Sequence, residues 1–89
     1  MNVLIAEDDD LSRLLLQTLL TEWGYNVTAA VDGNEAWSIL NEPDHPHLLL
    51  LDWNMPGMEG PEIVQKLKQK LPAQPYYAII ITSRNCLKV

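Results

Sequence analysis

Eighty-nine residues allow a single domain, spanning residues 1–89, and a chain this short hides only about 60–65% of its unfolded surface. Six Lys and Arg against twelve Asp and Glu give a net charge of −6, which excludes general nucleic-acid binding through a basic face. A hydrophobic fraction of 47% argues against disorder, and one cysteine, Cys86, excludes a disulfide framework and any CxxC metal site. No apolar run approaches the length that spans a bilayer, and Met1-Asn2 leads straight into a strand-like run without a secretory leader. The expectation is a soluble, acidic, cytoplasmic domain that engages neither membrane nor nucleic acid.

The charge is unevenly distributed. Every acid lies in residues 1–62, where Arg13 is the only base; residues 63–89 hold Lys66, Lys68, Lys70, Arg84 and Lys88 and no acid.

Val3-Leu4-Ile5-Ala6 has strand length and stops at Glu7-Asp8-Asp9-Asp10. Leu11, Leu15, Leu16, Leu19, Leu20 and Trp23 recur at three- and four-residue steps, so Leu11–Trp23 reads as an amphipathic helix. Asp9 or Asp10 can cap it, their charge suits its N-terminal dipole, and Gly24 is placed to end it. Tyr25–Ala30 alternates as a second strand, and Asp32-Gly33 is a turn. Asn34–Asn41 carries Ala36, Trp37 and Leu40 at helical spacing, and Pro43 and Pro46 break the chain after it. Leu48–Leu51 is apolar on both faces, as in a central parallel strand covered on both sides, and it ends at Asp52. Met55–Gly60 is a loop, Pro61 can open a helix, and Ile63, Val64, Leu67 and Leu71 form one stripe on that helix. Pro72 and Pro75 bound the next loop, and Tyr76–Ile81 is a fourth strand ending at Thr82-Ser83.

The order β-α-β-α-β-α-β predicts a doubly wound parallel α/β sheet. Ligands of such sheets sit beyond the carboxyl ends of the strands. Three strand ends carry polar groups there: Glu7-Asp8, Asp52 and Thr82-Ser83. Carboxylates from neighbouring strand ends repel unless a cation lies between them, and an oxygen-only site with open positions suits Mg²⁺. A carboxylate can also attack phosphorus and form an aspartyl phosphate. The bland alternative is a capped helix start at Glu7–Asp10, which is the better reading for Asp9 and Asp10, with ordinary strand-end polar groups elsewhere.

Val3-Leu4-Ile5-Ala6-Glu7-Asp8-Asp9, the segment from Asp52 through Asn54, Met55-Pro56, Met58 and Gly60, and Ile79-Ile80-Ile81-Thr82-Ser83 resemble the receiver domain of two-component response regulators. The acceptor segment is the specific part, because acid, proline and closing glycine all fall in step. The resemblance runs through residue 83 and implies a flavodoxin-like fold. It implies that Asp52 is the phosphoryl acceptor, that Asp8 and Asp52 bind Mg²⁺ directly with the Asn54 carbonyl, and that Glu7 acts through water. It places Thr82 as the switch hydroxyl and Asn54 and Arg84 at positions that tune phosphoryl lifetime. A histidine kinase or phosphotransfer protein is the implied donor.

A complete receiver has five strands and five helices, with a lysine at the end of the fifth strand. This sequence stops after the fourth strand, lacks the last strand and last two helices, and offers no position for that lysine, since Lys88 follows Thr82 too closely. Impaired phosphorylation is therefore expected, and the alternative is a receiver-like interaction module acting only by association. An enzyme of the haloacid dehalogenase type fits poorly, because Asn54 stands where its Asp-x-Asp motif needs a second acid. Tyr76–Ile81 would become an uncharged, proline-free edge, so a homodimer through the exposed fourth strand is expected. His45 and His47 read as solvent-facing loop residues, Met55 and Met58 as loop packing, Trp23 and Trp37 as core or helix-face residues, and Trp53 as a neighbour of the metal pocket.

Overall fold

The computed structural model describes residues 1–70 and 75–81. In chain order it contains β1 (Asn2–Ala6), α1 (Asp10–Glu22), β2 (Asn26–Ala30), α2 (Gly33–Leu40), β3 (Leu48–Asp52), α3 (Gly60–Lys70) and β4 (Tyr77–Ile81). The four strands form one parallel sheet in the order β2-β1-β3-β4. Every element predicted from the sequence is present, and the winding is the predicted one. Leu71 and Pro72 lie outside the described residues, as do Thr82, Ser83, Arg84, Cys86 and Lys88.

Local chemistry sets the element ends. Asp9 is extended at φ −79° and accepts the Ser12 N–H at 2.8 Å, so it caps α1 and leaves Asp10 to the first turn. Gly24 turns the chain at φ +92°. Tyr25, read from the sequence as strand, is instead tied to the end of α1: its N–H donates to the Leu20 carbonyl at 3.1 Å. Asp32 caps α2 by accepting the Glu35 N–H at 2.8 Å, while the Glu35 carboxylate accepts from Val31 N–H at 2.7 Å. The Asp32-Gly33 turn is thus a helix start.

Two clusters form the core. On one face of the sheet, Leu4, Ala6, Leu49 and Leu51 pack with Ala36 and Leu40 of α2, Ile63 and Leu67 of α3, and Met55 and Met58. On the other, Val3 and Ile5 pack with Leu20 of α1, and Leu16, Tyr25, Val27, Leu48 and Leu50 lie partly buried around them. Leu48–Leu51 was expected to be covered on both sides. Leu49 and Leu51 are fully buried, but Leu48 and Leu50 are only half-buried, because α1 packs over β1 and β2. Trp23 does not enter the core; it caps the end of α1 and is 64% exposed. Trp37 is half-buried, with the ammonium groups of Lys66 and Lys70 at 5.7 and 5.6 Å from its ring. Among the described residues, no helix is long and apolar enough to cross a membrane.

Candidate phosphoacceptor and metal site

β1 and β3 are neighbours with Val3 opposite Leu48 and Ala6 opposite Leu51, so their carboxyl ends lie side by side. Glu7 directly follows β1 and Asp52 is the last residue of β3. They are 3% and 2% exposed, the buried charged residues among the described part of the chain. Asp8 is half-buried beside them. One carboxylate oxygen from each of Glu7, Asp8 and Asp52 lies within 4.8 Å of the others. The parallel topology therefore brings together acids that the sequence places far apart.

Burying carboxylates this close is costly. Burial is the main cause that pushes the Glu7 carboxyl up to about 7, from 4.5. The hydrogen bond and the negative charge of Asp52 act in the same direction, and the Asp9 backbone hydrogen bond opposes them. A cation between these acids would replace the shared proton. The donor set is all oxygen and carries several acids, the chemistry that suits Mg²⁺ and that nitrogen- or sulfur-preferring metals do not select.

Two further features hold this edge in place. The Arg13 guanidinium donates to the Glu7 carbonyl at 2.9 Å and pairs with Asp10 at 2.5 Å, which ties the first turn of α1 to the β1 end. Sequence reasoning counted Arg13 only as a charge; the signal was that it is the one base among the first 62 residues. The loop after Asp52 is pinned at several points. Trp53 N–H donates to the Ile81 carbonyl at 3.0 Å, and Gly60 N–H donates to the Trp53 carbonyl at 3.1 Å. Gly33 N–H donates to the Pro56 carbonyl at 3.3 Å, and a Cβ on Gly33 would stand 1.8 Å from the Met58 carbonyl oxygen. Only glycine permits that approach of α2 to the loop. Met55 and Met58 are 7% and 8% exposed and belong to the core, so the loop packing predicted for them is the anchor of the loop itself.

Asn54 is exposed in this loop, two residues beyond Asp52, and Trp53 between them is 42% exposed. Thr82 lies outside the described residues, immediately after the end of β4.

The histidine pair sits elsewhere, at the amino end of the sheet. His45 is not the solvent-facing residue expected: it is half-buried, its Nδ1 bonds the Glu42 carbonyl at 2.6 Å, and its Nε2 meets the Tyr76 hydroxyl. The His45 ring stacks on Tyr76 at 5.7 Å, and the exposed His47 meets the Tyr76 edge at 5.0 Å. Tyr76 is drawn out of the strand predicted for it by these contacts, and burial pushes its hydroxyl pKa up.

Comparison with known proteins matches residues 3–88 to the family described as response regulator receiver domain. The chain is 32% identical over 86 residues to a chemotaxis protein CheY homolog of Campylobacter jejuni, covering 96% of this chain and 66% of that protein. It is 37% identical over 84 residues to a probable chemotaxis protein CheY of Rhizobium etli, covering 93% and 64%. It thus spans about two thirds of the length of these relatives. Among solved structures, the response regulator TrrA of Thermotoga maritima, crystallised with Mg²⁺ and BeF, aligns with a TM-score of 0.76 at 28% identity. That alignment covers 99% of this chain and 76% of the other. Sheet order, the acid edge and these matches agree: the chain belongs to the receiver-domain family of two-component response regulators.

Proposed function

We propose that this chain is a phosphoacceptor whose Asp52 takes a phosphoryl group from a phosphohistidine donor on a histidine kinase or phosphotransfer protein. The observation that carries this reading is the meeting of Glu7, Asp8 and Asp52 within 4.8 Å at two adjacent strand ends. Asp8, Asp52 and the Asn54 carbonyl would hold Mg²⁺ directly and Glu7 through water. When bound, the cation offsets the charge on the acids and on the transferring group.

The chain's own residues supply the rest. A carboxylate oxygen of Asp52 forms the new O–P bond while the donor's P–N bond breaks, and the electron pair of that bond returns to the imidazole. Burial of Asp52 limits access to an in-line approach from the open end of the strand. Arg13, through the Glu7 carbonyl, and Gly33, through the loop, hold the acids in register without touching the phosphoryl group. Thr82, the next residue in sequence after β4, takes the role of switch hydroxyl. The same reading includes self-association through the exposed β4 and a cytoplasmic setting.

Intact-mass measurement after incubation with acetyl phosphate and Mg²⁺ tests it. A phosphate-sized gain is expected that depends on Mg²⁺ and disappears in Asp52→Asn. Label that persists in that variant sinks the assignment. Absence of any gain, with Mg²⁺ still bound, favours a module that acts by association alone.

A further inference from the structure

We propose that His45, His47 and Tyr76 form a site for a late first-row divalent metal ion, Cu²⁺ or Zn²⁺, at the amino end of the sheet. The site is separate from the acid edge and independent of the phosphoacceptor reading. His47 directly precedes the five-residue β3 and Asp52 ends it, roughly 16 Å away.

One imidazole is already oriented. His45 Nδ1 lies 2.6 Å from the Glu42 carbonyl, which can only accept, so Nδ1 carries the proton. The neutral ring then bears its lone pair on Nε2, and that atom faces the Tyr76 hydroxyl. Metal-ligating histidines are commonly held in this way, with the other ring N–H tied to a backbone carbonyl. His47 completes the group. Its ring centroid is 5.2 Å from that of His45 and 5.0 Å from that of Tyr76, so three ligating groups converge from two segments of the chain. His47 is exposed and can turn a ring nitrogen toward the other two.

The surroundings suit an ion. Pro46, buried between the two histidines, and Pro75, directly before Tyr76, fix the backbone of both ligand-bearing segments. Tyr77 N–H donates to the His47 carbonyl at 2.9 Å, which holds those segments in register. A cavity of about 360 Å³ opens beside His45 and His47 and leaves room for a water as fourth ligand. With tetrahedral bonds of about 2.0 Å, His45 Nε2 and the Tyr76 oxygen would stand roughly 3.3 Å apart, a small opening of their present hydrogen bond. Two imidazoles and a phenol oxygen select Cu²⁺ and Zn²⁺ over Mg²⁺, with Cu²⁺ the tighter. On binding, the Tyr76 O–H bond breaks, its proton goes to solvent and the phenolate oxygen takes the metal. Burial pushes this hydroxyl's pKa up, so the ion displaces a firmly held proton, and micromolar affinity is expected.

Calorimetric titration of the 89-residue chain with Zn²⁺ and with Cu²⁺, in excess Mg²⁺ to occupy the acid edge, reads the outcome. One equivalent should bind, with about one proton released per ion. His47→Ala should weaken binding about 100-fold and Tyr76→Phe about 10-fold, while Asp52→Asn leaves it unchanged. The Cu²⁺ complex should show a phenolate charge-transfer band that Tyr76→Phe removes. His47 is exposed, so far-UV circular dichroism should show His47→Ala folded. Binding weakened in His47→Ala and Tyr76→Phe and kept in Asp52→Asn supports the site. Full-strength binding in either of the first two variants overturns it. Loss confined to Asp52→Asn also overturns it, by putting the ion at the acid edge. Absence of saturable binding in the micromolar range overturns it as well.

Discussion

The two faces of the sheet are made of similar residues and end in different states. Against α2 and α3, Leu4, Ala6, Leu49 and Leu51 are fully buried. Against α1, Val3 and Ile5 are buried, but Leu48 and Leu50 are half-covered and Tyr77 and Ile79 stand largely in solvent. The leucines of β3 are chemically identical, so composition does not separate them; the number of helices laid over each face does. The closed face holds the stability of the domain and anchors the loop behind Asp52 through Met55 and Met58. Among the described residues, the open face buries fewer apolar side chains, Val3, Ile5 and Leu20, and so contributes less to stability.

The largest effect that would break this contrast is a cavity in the closed face. Leu49→Ala should cost about 3 kcal/mol in urea unfolding, a large share of the 5–15 kcal/mol that a small domain has. A cost below 1 kcal/mol would mean that the closed face is not the core.

The acid edge comes next. In metal-free protein above pH 7, where Glu7 is ionised, Asp52→Asn should raise stability by about 1 kcal/mol by relieving the repulsion with Glu7. The same change should remove any Mg²⁺-dependent change in Trp53 fluorescence. Unaltered stability together with an unaltered titration would detach Asp52 from the site.

The pH dependence has a fixed sign. Folded Glu7 keeps its proton up to about 7, whereas the unfolded chain releases it near 4.5. Between these values the folded state binds more protons, so this group's stabilisation is full below the lower value and is lost as pH rises to about 7. The metal-free melting temperature should fall across that window, and Glu7→Gln should flatten the fall. A rise across the window in the wild type would contradict the buried, protonated Glu7.

The smallest effect belongs to the open face. Leu15 is 61% exposed on α1, so in dilute monomer Leu15→Gln should change unfolding stability by less than about 0.5 kcal/mol. A loss of several kcal/mol there would show that Leu15 is packed within the domain.

Much of this was legible in the chain. The alternation of apolar runs with helical stripes gave all seven elements, and the acids directly after Ala6 and Leu51 are the ones that meet at the strand ends. What the pattern could not convey was which leucines of an amphipathic helix find a neighbour. Leu15 and Leu16 are adjacent in sequence and opposite in fate, because burial depends on the element across from each. The capping role of Asp32 with Glu35 was hidden because a turn and a helix start use the same residues. The His45–Tyr76 contact joins positions 31 residues apart, beyond the reach of any local period. Thr82 and Arg84 lie outside the described residues.

The sheet's connectivity also bears on how the chain finds its structure. Asn2 pairs with Asn26, Val3 with Leu48, and Leu48 with Tyr77, so no strand meets its neighbour through a hairpin. Each pairing must close a loop dozens of residues long before its first ladder bond forms. Helix formation within those loops shortens the search, because a helix is local and fast while parallel pairing is neither. β1 sits at the centre of the sheet with β2 and β3 on either side, so both of those closures wait on this five-residue strand. The same short segment that delivers Glu7 and Asp8 to the acid edge is thus the seam on which assembly of the domain is timed.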